Sequence, residues 1–271
     1  MKNYVLFLIA TIVVLMSCKD TNKVNEGYSL YFMPRKVEYV FITIGKKREY
    51  YYQGIKMADY LRLEEDSIAE NLFFVSILTS NYDIRMVYAE ANPDYDPKVL
   101  IPIHDTFDWE YTCDDPIPSV EQQITLDYEK YVRNGSLRSN NSKDYHTLVD
   151  IHYCTTEIKS LNISALNAPL FGKPAGESLN DFFTIRTFSP PVIVSAPTER
   201  LVYGYSSRNY PTSIDEWLSL SPFGQSVMWL EPNRKMEGLP LQVQFVVQME
   251  TADGLLLSDT TRVITIQKSI E

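Results

Sequence analysis

Glycine, histidine and cysteine are scarce in this sequence, and the local motifs of several large enzyme families are missing. The 271 residues include 10 glycines, 3 histidines and 3 cysteines. A Gly-x-Ser-x-Gly elbow, a His-Glu-x-x-His pair, a phosphate-binding glycine loop and a dinucleotide-binding glycine motif are all absent. We therefore expect no catalytic residues and no cofactor. A glycosidase carboxylate pair has no local spacing rule. A hydrolase whose acidic residues come from distant strands is therefore the enzymatic alternative.

Basic residues are also in deficit. The chain has 25 Lys and Arg against 35 Asp and Glu, which gives a formal net charge of −10. This balance argues against a nucleic-acid partner and against attraction to anionic lipid by overall charge. The length is sufficient for one large domain or two modest ones.

The N-terminus has the pattern of a secretory signal peptide. Lys2 precedes an apolar run from Tyr4 to Met16, which only Thr11 interrupts. The run is shorter than the ~20 apolar residues that a helix needs to cross a bilayer. Residues 1–17 are therefore predicted to be a signal peptide rather than a membrane span.

The end of this segment resembles the lipobox of bacterial lipoproteins. Leu15-Met16-Ser17-Cys18 places a cysteine directly after the signal. The resemblance implies that Cys18 is lipid-modified, begins the mature chain and holds it on the membrane of the cell envelope. An ordinary signal peptide with an incidental cysteine is the alternative. Residues 18–27 are polar and are predicted to be a flexible tether. Lys19-Asp20 resembles the start of a surface-export signal of Bacteroidota lipoproteins, and the leaflet stays open.

With Cys18 assigned to lipid, Cys113 and Cys154 remain as an even pair in an oxidising compartment. We predict a disulfide between them. Two reduced, buried thiols are the alternative, because cysteine packs well as a small apolar residue.

Residues 28–271 are predicted to form a mainly β body, an antiparallel β-sandwich of immunoglobulin type with few short helices. No flexible linker divides it, so one composite domain is expected, with a sub-boundary near residue 190 as the alternative. Asp253-Gly254 between alternating segments predicts a C-terminal hairpin, and Ser213 predicts the N-cap of a short helix. The predicted strands are Tyr28–Met33, Val37–Ile44, Arg48–Gln53, Leu72–Thr79, Ile84–Glu90, Val99–Ile103, Ile124–Val132, Leu148–Thr155, Glu157–Ser164, Pro191–Ala196, Glu199–Ser206, Gln225–Leu230, Leu241–Met249 and Leu255–Ile266.

Two further local expectations concern residues 45–71. Gly45-Lys46-Lys47 is predicted to be a hairpin turn, after which Arg48–Gln53 returns as the partner strand. Met57–Asn71 is predicted to contain one helix.

A segment in the middle of the chain resembles uncharacterised lipoproteins of Bacteroidota. It consists of CTTEIKSLNIS, which starts at Cys154, and PAGESLNDFF, which starts at Pro174. The resemblance implies a cell-envelope location and a β fold, and it implies no chemistry. We expect Gly176 to form a tight turn, Ser178 or Asn180 to cap backbone groups, and Phe182 or Phe183 to enter the core.

Candidate metal ligands are not grouped convincingly. His146, Asp150, His152 and Cys154 alternate on one predicted strand, but His146 and His152 are too far apart along an extended chain to share one ion. His152 and Cys154 would need a ligand from elsewhere, such as His104. The acidic pairs Asp94 and Asp96, and Asp114 and Asp115, lie beside prolines and are more typical of turns than of a calcium site. No metal is therefore expected.

The tyrosine-rich segments are the remaining functional hint. Tyr50-Tyr51-Tyr52 would place side chains on both faces of a strand, and a second aromatic group consists of Tyr203, Tyr205, Tyr210, Trp217 and Trp229. Exposed aromatic rings bind sugars or anchor protein partners, whereas buried ones pack the core. The expected function is a non-catalytic binding or structural role at the cell envelope. Glycan binding is its sharpest version, and a subunit of a surface assembly, pilus-like or transporter-associated, is the alternative.

The lipid anchor gives the first prediction. Mass spectrometry of the protein purified from its native membrane is expected to find a mature N-terminus at an acylated Cys18. A Cys18→Ala variant is expected to carry no lipid, whereas Cys113→Ala is expected to keep it. An uncleaved or unmodified N-terminus in the unaltered protein would contradict the prediction.

Overall fold

A computed structural model describes residues 28–52, 55–91, 115–133, 147–187, 212–225 and 227–269. The chain divides into two compact units. The first comprises Met1–Tyr31 and Arg138–Ile151, and its described residues belong to two paired strands, Tyr28–Arg35 and Thr147–Cys154. The second comprises Phe32–Leu137 and His152–Glu271. The packing and the sites reported below lie in this second unit.

The described residues form 14 strands and three helices. The strands are β1 (Tyr28–Arg35), β2 (Tyr39–Tyr52), β3 (Ile55–Arg62), β4 (Ser67–Ala69), β5 (Phe73–Ser80), β6 (Thr147–Cys154), β7 (Ile158–Ala165), β8 (Phe183–Thr187), β9 (Thr212–Ser213), β10 (Val227–Pro232), β11 (Leu241–Val243), β12 (Phe245–Thr251), β13 (Leu256–Thr260) and β14 (Ile264–Gln267). The helices are α1 (Ile84–Ala91), α2 (Pro118–Arg133) and α3 (Ile214–Leu218), and single 3₁₀ turns occupy Glu70–Leu72 and Asn180–Phe182.

Antiparallel sheets make up most of the second unit. The largest has the strand order β3-β2-β5-β10-β8-β9, and a three-stranded sheet has the order β13-β12-β7. A third sheet, β11-β14-β4, contains a parallel pair, because β4 and β14 run in the same direction. The prediction of a mainly β, antiparallel fold with few short helices is confirmed.

One hydrophobic core joins the sheets. Alternate residues of β2, namely Val40, Ile42 and Ile44, point into it, as the period of two of a β-strand requires. They pack in one cluster with buried residues of β5, β7, β8, β10, β12 and β14. Sheets that share an inner core in this way have the packing expected of a sandwich.

The opposite face of the six-stranded sheet is covered locally by α1. Phe41 and Leu78 form a second buried cluster there with Tyr82 and Ile84. Since β5 is covered on both faces, all eight of its residues are buried. This agrees with its sequence FFVSILTS, in which apolar residues point to both faces of the sheet.

Two predicted strands are helices. Ile84–Glu90 belongs to α1, because the Asp83 carboxylate accepts the amides of Arg85 and Met86 at 3.0 and 3.3 Å and so caps a helix start. Ile124–Val132 belongs to α2. In the first segment, the Asp83 cap overrides the β-propensity of the sequence.

The segment from Gly45 to Asn71 also differs from its prediction. Gly45 is not in a turn, because β2 continues through it to Tyr52. It lies opposite Phe74 of β5, and a Cβ at this position would overlap the Phe74 ring. Met57–Asn71 is not a helix but contains β3, β4 and a 3₁₀ turn.

Other local predictions are confirmed. β12 and β13 form the C-terminal hairpin with Gly254 at φ 90°, and the Ser213 hydroxyl accepts the amide of Glu216 at the start of α3. The predicted strands at residues 99–103, 191–196 and 199–206 lie outside the described residues.

The contact between Gly45 and Phe74 gives the second prediction. Gly45→Ala is expected to lower the free energy of unfolding by about 1–3 kcal/mol, the usual effect of overfilling a packed site. Urea unfolding measures this change. When Phe74 is first shortened to leucine, the additional loss caused by Gly45→Ala is expected to shrink. An equal loss in both backgrounds would show that the Phe74 ring is not the reason for the glycine.

Candidate binding site

A two-stranded ribbon extends past the six-stranded sheet. β2 pairs with β5 only from Tyr39 to Lys46, whereas it pairs with β3 from Gly45 to Tyr52. Beyond Lys46, the two strands β2 and β3 therefore pair only with each other among the described residues. At about 3.3 Å per residue, the projecting part of β2 is ~20 Å long. We call residues 47–52 of β2 and 55–60 of β3 the ribbon.

The ribbon has exposed tyrosines on both faces. The side chain of Tyr51 is 75% exposed and that of Tyr50 is 37% exposed. Because neighbouring residues of a strand point to opposite faces, the two rings do not form one flat platform. The sequence left open whether these tyrosines are exposed or packed in the core, and the structure shows Tyr50 and Tyr51 to be exposed.

A groove lies at the base of the ribbon. It has a volume of about 510 Å³, within the range of small-molecule sites. Leu61 and Leu72 provide its apolar surface, and charged side chains of both signs provide the rest. The residues that line it are Lys46, Lys47, Arg48, Glu49, Leu61, Glu64, Glu65 and Leu72. We call this feature the hairpin groove.

Ion pairs hold several of these side chains in place. Lys46 lies 3.8 Å from Glu65, and Lys47 lies 3.2 Å from Glu231. Glu231 also accepts from Arg186 at 2.9 Å. The pKa of Glu65 is lowered, first by its own backbone amide and then by the charge of Lys46. Glu65 is therefore an ionised hydrogen-bond acceptor at neutral pH.

The segment Pro174–Phe183 closes the β7 edge of the sheet β13-β12-β7. The Asn180 side chain accepts the amide of Ile163 at 3.0 Å and donates to the carbonyl of Leu161 at 2.7 Å. The amides of Gly176 and Leu179 donate to the carbonyls of Ala165 and Ile163 at 2.7 and 2.8 Å, so the segment takes the place of a neighbouring strand along β7. Gly176 turns with φ 86° and Phe182 is buried. The expected roles of this segment are confirmed, and they are structural.

The free edge of β2 is closed in another way. The Asp259 carboxylate accepts the amide of Ile42 at 2.7 Å. The same carboxylate binds both terminal nitrogens of Arg85, at 2.9 and 2.6 Å. The Arg85 guanidinium in turn lies over the Phe41 ring, 5.1 Å from its centre. One acidic side chain therefore connects β13, β2 and α1.

Of the predicted cysteine pair, only Cys154 lies within the described residues. Cys154 is a buried free thiol in the structure, and burial raises its pKa to about 12. Cys113 and Cys18 lie outside the described residues, so the disulfide and the lipid attachment stay predictions. Tyr153, next to Cys154, donates to Glu121 at 2.8 Å and so attaches α2 to the end of β6.

The other sequence candidates are not brought together. Trp217 is fully buried in the main core and Trp229 is partly buried. Of the remaining candidates, Asp115 is exposed, while the side chains of Asp150 and His152 are not described. The residues that lie outside the described ranges are Asp94, Asp96, His104, Asp114, His146, Tyr203, Tyr205 and Tyr210.

Within the ranges that the structure covers, no group of three His, Cys, Asp or Glu residues could hold a metal ion. In the same ranges, every helix is too short or too polar to span a bilayer.

Sequence reasoning missed the hairpin groove. Its signal was the run Lys46-Lys47-Arg48 next to three tyrosines, which suggested a turn rather than a long strand.

Comparison with known proteins gives no precedent, because no family model, curated protein or solved structure matches this chain.

Proposed function

We propose that this is a lipid-anchored protein of the cell envelope that binds a glycan in the hairpin groove without chemical conversion. The observation that carries the proposal is the groove itself, which combines an apolar surface with charged side chains of both signs. The anchor at Cys18 and the outer-membrane location come from the resemblance of the N-terminus to lipoprotein signals.

The groove has the chemistry that sugars require. Sugar hydroxyls donate hydrogen bonds to carboxylates and accept them from lysine and arginine, and such charge-assisted bonds are the strong ones. The C–H faces of a sugar ring pack on apolar and aromatic side chains. Leu61 and Leu72 offer apolar surface, Glu65 offers an acceptor, and Lys46 and Arg48 offer donors.

Binding without hydrolysis fits the state of Glu65. A glycosidase needs a carboxylic acid that stays protonated near neutral pH, so its pKa must be raised. The pKa of Glu65 is lowered instead. Glu65 therefore suits the recognition of hydroxyls and does not suit the role of general acid.

A second candidate function is a subunit of a surface assembly. β3 has one described neighbour, β2, so its other side is an edge of the six-stranded sheet in the part of the chain that the structure covers. An exposed edge can accept a strand from another protein through backbone hydrogen bonds. Covalent cross-linking from the ribbon to one envelope protein, lost when proline replaces a β3 residue, would favour this alternative.

The groove gives the third prediction. Glycan-array screening of the mature protein, followed by calorimetry with the best ligand, is expected to identify a saccharide that binds. Glu65→Gln is expected to weaken that binding about tenfold, the effect of losing one hydrogen bond to a charged group.

The matched control is Glu237→Gln, which changes an exposed carboxylate that does not line the groove. It is expected to leave the affinity within about twofold. Absence of any glycan ligand, or equal affinities of the two variants, would contradict the proposal.

A further inference from the structure

Two side-chain amides near the start of β10 have buried atoms without hydrogen-bond partners. Gln225 is fully buried, and neither its Nε2 nor its Oε1 has a partner among the described residues. The Oδ1 atom of Asn81 is also buried and has no partner among these residues. Most buried polar atoms in proteins are hydrogen-bonded, because an unpaired one costs its full desolvation free energy. Three buried atoms thus need partners that the described side chains and backbone do not supply.

The pairing of β5 with β10 brings these two amides to the same end of the six-stranded sheet. Val227 lies opposite Leu78 in the antiparallel register. The same register, continued by two residues, places Gln225 opposite the residue that precedes Asn81. The Thr79 hydroxyl donates to the backbone carbonyl of Gln225, which agrees with this placement. The unpaired atoms therefore belong to neighbouring segments of backbone.

The backbone next to Gln225 is held firmly in place. The amide of Gly224 donates to the carbonyl of Thr156 at 2.8 Å, and a Cβ at Gly224 would come within 2.5 Å of a Val37 methyl group. The amide of Val37 in turn donates to the Thr156 hydroxyl at 2.9 Å. Such close packing opposes a shift of this segment that would carry Gln225 to the surface. The amide stays buried, so its partner must be a molecule small enough to reach it.

We propose that this end of the sheet is a binding site for ordered water. Water both donates and accepts hydrogen bonds, so it suits a site that offers two acceptor oxygens and a donor nitrogen. Water donates to Gln225 Oε1 and Asn81 Oδ1 and accepts from Gln225 Nε2. Exchange of the two amide atoms of Gln225 leaves the same requirement. A metal cation fits less well, because it would bind the oxygens while the hydrogens of Nε2 repel it.

The bound water connects two parts of the fold. Asn81 lies in the turn between β5 and α1, and Gln225 lies just before β10. Water held by both side chains therefore links the start of β10 to the turn that positions α1. The site is separate from the hairpin groove, because Lys46 of the groove pairs with Phe73 at the opposite end of β5. The inference thus does not depend on the proposed glycan ligand.

The first test asks whether the Gln225 amide is paired. Gln225→Met keeps the length of the side chain and removes both of its polar atoms. If the amide binds water, this change is expected to raise the equilibrium constant for unfolding about tenfold, because hydrogen bonds are lost. If the amide is unpaired, the same change would lower that constant, since the desolvation cost disappears. Urea unfolding measures the direction.

The matched control is Gln248→Met, which makes the same substitution at an exposed position of β12. It is expected to change the equilibrium constant for unfolding by less than about twofold.

A second measurement uses the unaltered protein in solution. The amide protons of the Gln225 side chain are assigned in an isotope-labelled sample by their loss in the Gln225→Met variant. They are expected to show a nuclear Overhauser effect with water that has the sign of a long-lived bound molecule. The exposed Gln248 amide is expected to show no effect of that sign.

An unchanged or lower unfolding constant for Gln225→Met, or no long-lived water at the Gln225 amide, would overturn the proposal. Added sodium or calcium chloride that stabilises the unaltered protein but not Gln225→Met would also overturn it, because a cation would then occupy the site. No measurement here contains a glycan, so failure leaves the groove proposal unaffected.

Discussion

The packing of Phe245 between two sheets is the contact on which the rest of the structure depends. Its ring lies 5.3 Å from that of Phe73 on β5 and 6.1 Å from that of Phe183 on β8. Its backbone forms two hydrogen bonds with Thr261. One residue of β12 thus joins the three-stranded sheet to the six-stranded sheet. Core phenylalanines in such positions typically contribute about 3–5 kcal/mol when measured by truncation.

A core of this kind leaves sheet edges that must be closed, and this chain closes two of them with side chains. Along β7, the Asn180 side chain adds to backbone bonds from Gly176 and Leu179. Along β2, the Asp259 carboxylate accepts the amide of Ile42 while it binds Arg85. Fixed polar side chains thus satisfy backbone groups at both edges. The ribbon has no such device among the described residues. The projecting ribbon therefore combines an unpaired edge with Tyr51, the most exposed tyrosine among the described residues.

Much of the β architecture followed from the sequence, because alternation and turn residues are local properties. The hairpin at Asp253-Gly254 and the cap at Ser213 belong to this group. The helix that covers Phe41 was missed, since its start depends on Asp83 accepting two amides, while its apolar residues read equally well as a strand. The role of Gly45 could not be read locally either. It is fixed by Phe74, a residue of another strand that lies directly opposite.

The candidate site was only partly predictable for the same reason. Tyr50 and Tyr51 were identified as candidates for exposed contact residues, but the groove required the long-range return of Glu64, Glu65 and Leu72 to the side of Lys46. Mixed charges along a chain do not reveal which of them will share a surface. The pairing of β2 with β3 determines this.

Hydrogen–deuterium exchange of the folded protein tests most directly the claim that the core edges are closed and the ribbon is open. We predict that peptides containing Ile42 and Ile163 exchange as slowly as those of β5 and β12, because the amides of both residues have side-chain acceptors. Peptides of β3 are predicted to exchange much faster. Slow exchange in β3, or exchange at Ile42 and Ile163 as fast as in β3, would contradict the account.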